Sequence, residues 1–235
     1  MNEININQLS EQLLLQVKLQ QPTIEIRTQL KSLDFKNLID QLKSDEFKKA
    51  FWINIYNAYY LILRKEKQLI KPDIYRKKVF QIAGKDLSLD DVEHGILRKY
   101  RYKYTLGFLP NLLTKRLIKQ LAVDKIDYRI HFALNCGAVS CPPIAFYHPT
   151  KIELQLNMAT QSFLEAETTY NTSMKIVYTT TLFKWFLGDF GGLKGIKTIY
   201  KTQLDKDISD YVIKFKPYSW EENLDNFDDD PKQLI

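Results

Sequence analysis

The sequence predicts one mainly helical α+β domain built around a small antiparallel sheet. Three observations support this fold class. Hydrophobic residues make up 45% of the 235 residues, which is typical of a globular protein. Apolar stretches with helical spacing are longer than those with strand spacing. With only 8 Gly and 8 Pro, no repeat and no low-complexity block, the chain shows no linker. We expect residues 1–43 to form a helical extension that packs on a core domain of residues 44–235.

The first half of the chain is predicted to be helical. Apolar spacing indicates a helix over residues 5–20, two short helices over 23–43 and a longer helix over 48–65. Aromatic rings widen the apolar face of the longest helix, so we expect it to be central. Asn54 and Asn57 lie three residues apart on it and therefore on one side. A buried Asn needs partners, so these two either hold neighbouring loops or orient a catalytic group.

The elements in the second half are shorter. The patterns predict, in order, a strand at 79–83, a helix that begins at Ser88, a helix at 112–121, a core strand at 127–134, an amphipathic helix at 151–165, a strand at 175–179, a short helix at 181–186, helical residues 193–214 and a last strand at 212–215.

Net charge and hydropathy limit the kinds of binding partner that we expect. The formal net charge is +6, but the basic residues are scattered, which is typical of a solvated lysine-rich surface. The C-terminal tail is acidic, through Glu221, Glu222, Asp225, Asp228, Asp229 and Asp230. No nucleic-acid, phosphate or nucleotide motif occurs, so we expect neither a nucleic-acid partner nor a cofactor. The first residues lack a signal peptide pattern and no apolar run reaches membrane-spanning length, so the expected location is the cytoplasm.

The densest group of reactive residue types lies between residues 131 and 143. This stretch holds both cysteines of the chain and His131, one of the three histidines. Thiol and imidazole are the side chains best suited to nucleophilic chemistry or metal binding near neutral pH. Asn135, Gly137 and Ser140 add hydrogen-bonding groups and a flexible backbone between them. The sequence therefore places the candidate site here.

Several motifs occur together in a characteristic order. They are Phe51–Ala58, Ser88–Leu89 with Val92–Arg98, Arg129–Ala138, Ser140–Pro143, Phe183–Phe186 with Asp189–Phe190, and Tyr218–Trp220 with Asn223. In this order they resemble the domain of unknown function 547 family over about residues 44–224. The family carries no established activity. The resemblance implies an α+β fold and a distant relation to papain-like or transglutaminase-like cysteine hydrolases. Val139 and Ser219 depart from the pattern, and neither belongs to the Cys and His set.

A thiol nucleophile is the first chemical hypothesis. Cys141 precedes two prolines and then a helix. If that helix began at Pro142 rather than at Lys151, its dipole would favour the thiolate. The base would be His131 or His94.

The groups that would assist this thiol are also predicted. An oxygen of Glu93, Asn54 or Asn57 would orient the base. Backbone N–H groups near Gly137 and Ala138 would form an oxyanion hole. The histidine precedes the cysteine along the chain, which is opposite to the order in papain and excludes a direct copy.

Two other hypotheses use the same residues. His131, Cys136, Cys141 and His94 are four potential zinc ligands, although their spacing matches no common zinc module. Alternatively, the Asn, Cys, Ser and His groups form a polar network that pins a loop, and the protein is a noncatalytic binding module. The leading hypothesis is a cysteine-dependent hydrolase or acyl transferase of unknown substrate, either a small molecule or a peptide. The sequence leaves the oligomeric state open.

Overall fold

The computed structural model describes residues 5–228 and confirms a single α+β domain in which helices predominate. Asp229 and Asp230 of the acidic tail lie outside the described residues. The α-helices are α1 Ile6–Lys18, α2 Ile24–Ser32, α3 Phe35–Gln41, α4 Asp45–Lys65, α5 Asp73–Arg76, α6 Arg116–Leu121, α7 Ile152–Glu167, α8 Leu182–Trp185 and α9 Gly192–Leu204. Short 3₁₀ turns cover Lys103–Thr105 and Tyr128–Phe132, and a π-helix covers Asp91–Leu97.

Helix α4 is the central element, as its aromatic sequence predicts. Its residues from Lys48 to Leu63 are all buried, and α1 packs along it with Leu13 and Leu14 fully buried. The buried residues of α1, α2 and α3 belong to the same hydrophobic core as α4. The division into an extension and a core domain at residue 43 stays a prediction.

Charged residues near the start of α4 fix the turn that carries the candidate histidine. The Lys49 ammonium contacts carboxylate oxygens of Asp127 and Glu153, each at 2.8 Å. Arg129 contacts the same two carboxylates at 2.6 Å. These pairs join α4, the Tyr128–Phe132 turn and α7, because each carboxylate serves two cations. The position of His131 is therefore tied to the central helix.

The strands form two small sheets. Strands β1 Phe80–Ile82 and β2 Lys85–Leu87 form an antiparallel hairpin. Strand β4 Ile176–Thr179 pairs antiparallel with β3 Thr169–Asn171 and parallel with β5 Val212–Phe215. The second sheet packs on a separate aromatic core in which Phe132, Phe183 and Phe190 contact one another.

Several predicted elements are wrong. Residues 127–134 form a 3₁₀ turn rather than a strand. The alternation of polar and apolar residues suggests one exposed face, yet Ile130, His131 and Phe132 are all buried. The helix predicted at 112–121 begins only at Arg116, and the helical stretch 193–214 ends at Leu204, where Asp205 adopts a left-handed conformation. Residues 5–228 contain no helix that is long and apolar enough to cross a membrane.

Candidate functional site

A cavity of about 230 Å³ brings the separated motifs together. Both cysteines and two of the three histidines line it, and aromatic rings form most of its remaining wall. The chemically relevant lining residues are Glu93, His94, His131, Cys136, Cys141 and Tyr218. Residues that lie more than 80 positions apart in the chain thus converge on one space.

Asn57 and Asn135 shape the loop that carries the cysteines. The Asn57 side chain on α4 donates to the Ala133 carbonyl and accepts the backbone N–H of Asn135, both at 3.0 Å. Asn135 in turn donates to the Pro142 carbonyl at 2.7 Å and accepts the N–H of Gly137 at 2.6 Å. The loop is therefore closed on itself and anchored to the central helix by buried amides.

Asn54 performs the same task for a different segment. Its amide donates to the Tyr147 carbonyl at 2.8 Å and accepts the Tyr147 N–H at 3.0 Å. This pairing places Asn54 against the chain that leads into α7. Of the two predicted roles for Asn54 and Asn57, the observed contacts are those of loop anchors.

The sulfur of Cys141 has two close hydrogen-bond partners. Its Sγ accepts the backbone N–H of Cys136 at 3.0 Å and lies 3.0 Å from the Tyr218 hydroxyl. Burial raises the pKa of this thiol, but hydrogen bonds from Cys136, Tyr218 and the backbone outweigh burial and bring the pKa down to about 7. The dipole of α7 is not the cause, because that helix begins only at Ile152. Of the two helix starts left open by the sequence, Pro142 and Lys151, the structure has the later one.

The pKa of Cys136 is shifted in the opposite direction. Its Sγ lies 3.1 Å from the same Tyr218 hydroxyl. Its pKa is raised well above the usual value, first because the thiol hydrogen-bonds to Cys141 and then because it is buried. The two cysteines are free thiols. Of the two thiols, Cys141 is therefore the one that loses its proton at the lower pH.

His131 is held by a buried carboxylate that sequence reasoning did not assign to it. Its Nε2 lies 2.8 Å from Oδ2 of Asp189, and the same oxygen accepts Nε of Arg98 at 2.6 Å. The imidazole stacks on Phe186 with ring centroids 3.9 Å apart. Burial lowers the pKa of His131, so the ring is neutral near pH 7. The only advance signal for Asp189 was its place in one of the family motifs.

His94 and Glu93 take other partners. Arg98 donates from Nη1 to Nδ1 of His94 at 2.7 Å, and burial lowers the pKa of His94 to about 3. The Glu93 carboxylate accepts the Tyr56 hydroxyl at 3.1 Å. The position predicted for Glu93, against the nitrogen of His131, is occupied by Asp189.

The predicted oxyanion donors are partly engaged. The N–H of Gly137 is taken by Asn135, so it does not point freely into the cavity. Ser140 Oγ accepts the backbone N–H of Ser219 at 2.9 Å and thereby holds the segment that carries Tyr218. No hydrogen bond joins Cys141 to His131 within residues 5–228, although both side chains line the same cavity.

The zinc hypothesis does not fit this arrangement. Nδ1 of His94 faces the Arg98 guanidinium and Nε2 of His131 faces Asp189. In the described part of the chain, no group of three or more His, Cys, Asp or Glu side chains is placed to hold a metal ion. The four proposed ligands are thus turned toward protein partners rather than toward one point.

Comparison with known proteins identifies the family. No curated protein and no solved structure matches the chain. The family model described as "protein of unknown function, DUF547" matches residues 39–164, which is more than half of the 235 residues. The matched region includes α4, the Glu93 and His94 helix, and the loop with both cysteines. The chain therefore belongs to the DUF547 family.

Proposed function

We propose that this protein is a cysteine-dependent hydrolase or acyl transferase with Cys141 as the nucleophile. The observation that carries this proposal is the environment of its sulfur, which accepts an N–H at 3.0 Å and faces the Tyr218 hydroxyl at 3.0 Å inside a cavity. A thiol with a pKa of about 7 is substantially ionised at neutral pH. Thiolates are the nucleophilic form of cysteine, so this sulfur is suited to attack an acyl carbon.

His131 is proposed as the base. Its Nε2–H donates to Asp189, so in the neutral ring Nδ1 carries the lone pair. Asp189 fixes both the tautomer and the orientation of the ring, which is the role of the carboxylate in a catalytic triad. Asp189 therefore replaces Glu93 as the orienting group of the proposal.

The reaction that follows is acyl transfer through a thioester. Cys141 attacks the carbonyl carbon, its proton having passed to Nδ1 of His131, and the bond to the leaving group breaks. The imidazolium returns the proton to the leaving group. Water or another nucleophile, losing its proton to His131, then attacks the thioester; the C–S bond breaks and the proton returns to Cys141. The Tyr218 hydroxyl and the Cys136 N–H already lie at the sulfur, so they are the proposed donors to the developing oxyanion.

Alkylation tests the thiol. We expect iodoacetamide to label one cysteine with a rate whose midpoint lies near pH 7. Cys141→Ala should abolish this phase, whereas the matched Cys136→Ala variant should retain fast labelling of Cys141 with an altered midpoint. A folded protein in which Cys141 resists labelling until strongly alkaline pH would contradict the proposal.

Turnover separates catalysis from binding. Activated esters and thioesters should give a burst of about one leaving group per protein, followed by slower release of the acyl group. His131→Gln and Asp189→Asn should lower the burst rate by at least about 100-fold, while Cys141 remains open to slow alkylation. If Cys141 is readily alkylated but no acyl compound reacts, the noncatalytic binding module is the better explanation.

A further inference from the structure

The segment from Arg101 to Arg116 exposes an unusual amount of apolar surface. Seven of its large side chains are exposed, namely Tyr102 43%, Tyr104 66%, Leu106 44%, Phe108 53%, Leu109 59%, Leu112 81% and Leu113 92%. Scattered apolar residues on a surface need no explanation, but a contiguous set marks a binding surface. We call residues 101–116 the apolar loop.

The stretch of sequence that contains the apolar loop carries charge of a single sign. Between His94 and Asp124 the sequence contains no acidic residue and seven basic ones, namely Arg98, Lys99, Arg101, Lys103, Lys115, Arg116 and Lys119. Arg98 is paired inside the protein and Lys103 contacts Asp90 at 2.5 Å. Arg101, Lys115 and Arg116 form no ion pair with any residue between 5 and 228. Lys115 and Arg116 are exposed and available to an anionic partner, whereas Arg101 is half-buried and donates to the Phe108 carbonyl at 3.1 Å.

The apolar loop is braced, so its exposure does not come from a frayed chain. Residues 100–111 pair through the N–H of Tyr102 to the Leu109 carbonyl at 2.9 Å and the N–H of Asn111 to the Tyr100 carbonyl at 2.7 Å. The next turn is held by Asn111, whose side chain accepts the N–H of Leu113 at 3.1 Å. The N–H of Gly188 donates to the Leu106 carbonyl at 2.7 Å. The backbone is thus held while the side chains of the tip project into solvent.

We propose that the apolar loop docks the protein on the surface of an anionic lipid bilayer. Leu109, Leu112 and Leu113 would enter the acyl boundary, and the flanking cations would contact the headgroup phosphates. Tyr102 and Tyr104 carry a ring and a hydroxyl, a combination that is favoured at the membrane interface. Asp90 and Asp91 border the apolar loop, but they are paired with Lys103 and Lys78. The exposed cations that remain complement lipid phosphates. This docking does not depend on the proposed thiol chemistry.

Vesicle binding tests the apolar part of the proposal. The full chain should co-sediment with phosphatidylcholine vesicles that contain about 30% phosphatidylserine and bind at least tenfold less to pure phosphatidylcholine. Leu112→Asp with Leu113→Asp should lower binding at least tenfold. The matched control is Ile24→Asp with Leu154→Asp, which adds the same charge at two exposed helix starts where an acidic residue is tolerated.

Charge reversal tests the second part. Lys115→Glu with Arg116→Glu should also lower binding at least tenfold, and the exposed pair Lys31→Glu with Lys36→Glu should have a much smaller effect. Binding should weaken as salt rises and should be unchanged in Cys141→Ala. Equal binding to both vesicle types, or no loss in the loop variants, would overturn the proposal. A dimer in solution that becomes monomeric in the Leu112 and Leu113 variant would also overturn it, since a second copy would then cover the loop.

Discussion

The two walls of the cavity are built in different ways. One wall carries His131, and behind its imidazole Arg98 and Asp189 complete a hydrogen-bonded network whose side chains are at most 1% exposed. On the other wall, Cys136 and Cys141 share the Tyr218 hydroxyl at 3.1 and 3.0 Å and rest on backbone N–H groups. The first wall rests on a buried ion pair with short hydrogen bonds. The second consists of two sulfur atoms, which form weaker hydrogen bonds.

This difference separates stability from reactivity. Removing one member of a buried ion pair leaves its partner charged and desolvated, which is costly. Removing one donor to a sulfur changes the free energy by only about 1 kcal/mol but directly changes the thiolate population. We therefore expect the network of Arg98, His131 and Asp189 to control folding. The group of Cys136, Cys141 and Tyr218 should control the pKa of Cys141.

Loss of Asp189 should have the largest effect. Asp189→Ala leaves the Arg98 guanidinium without its carboxylate in a buried position and should lower the free energy of unfolding by about 3–5 kcal/mol. Denaturant titration measures this change. The matched control is Asp225→Ala, which breaks the exposed pair with Lys65 and should cost at most about 1 kcal/mol. Similar losses in the two variants would contradict the assigned difference between the walls.

Acid should have the next largest effect on stability, through His131 and through His94, which contacts Arg98. The pKa values of His94 and His131 are lowered in the fold, to about 3 for His94. The unfolded chain therefore binds more protons than the folded one below about pH 6.5, and stability falls as the pH falls. The expected loss between pH 7 and pH 5 is about 2 kcal/mol for His94, and His131 changes stability in the same direction.

Denaturant titrations at the two pH values measure this loss. His94→Gln should reduce it, because that variant removes the imidazole whose pKa is lowered in the fold. A stability that does not change between pH 7 and pH 5 would show that the two imidazoles are not held neutral by burial.

The smallest effect on stability, and the most selective one, is expected at Tyr218. Tyr218→Phe removes the hydroxyl that both sulfurs contact, so the pKa of Cys141 should rise and its alkylation at pH 7 should slow several-fold. The free energy of unfolding should change by about 1 kcal/mol or less. Tyr178→Phe, on β4, is the control and should not move the alkylation profile. A rate unchanged by Tyr218→Phe would assign the activation to the backbone N–H alone.

Long periodic segments were predictable from the sequence, while the turns of the site were not. The helices α1, α4 and α7 were predictable because their apolar residues recur at helical spacing along the sequence. The stretch around His131 alternates like a strand, yet it lies in a 3₁₀ turn because Lys49 and Asn57 of α4 hold its flanks. Glu93 was a reasonable orienting group by residue type, and only packing shows that it contacts Tyr56 instead.

By itself, the sequence determined the family, the mainly helical class and the loop that contains Cys136 and Cys141. These features depend on residue types and spacings within short stretches, and both can be read before the chain is folded. Only the tertiary structure decided which groups meet that loop. Asp189 reaches His131 across 58 positions and Tyr218 reaches Cys141 across 77. Contacts at such separations are set by how helices and turns pack together, so no local pattern encodes them.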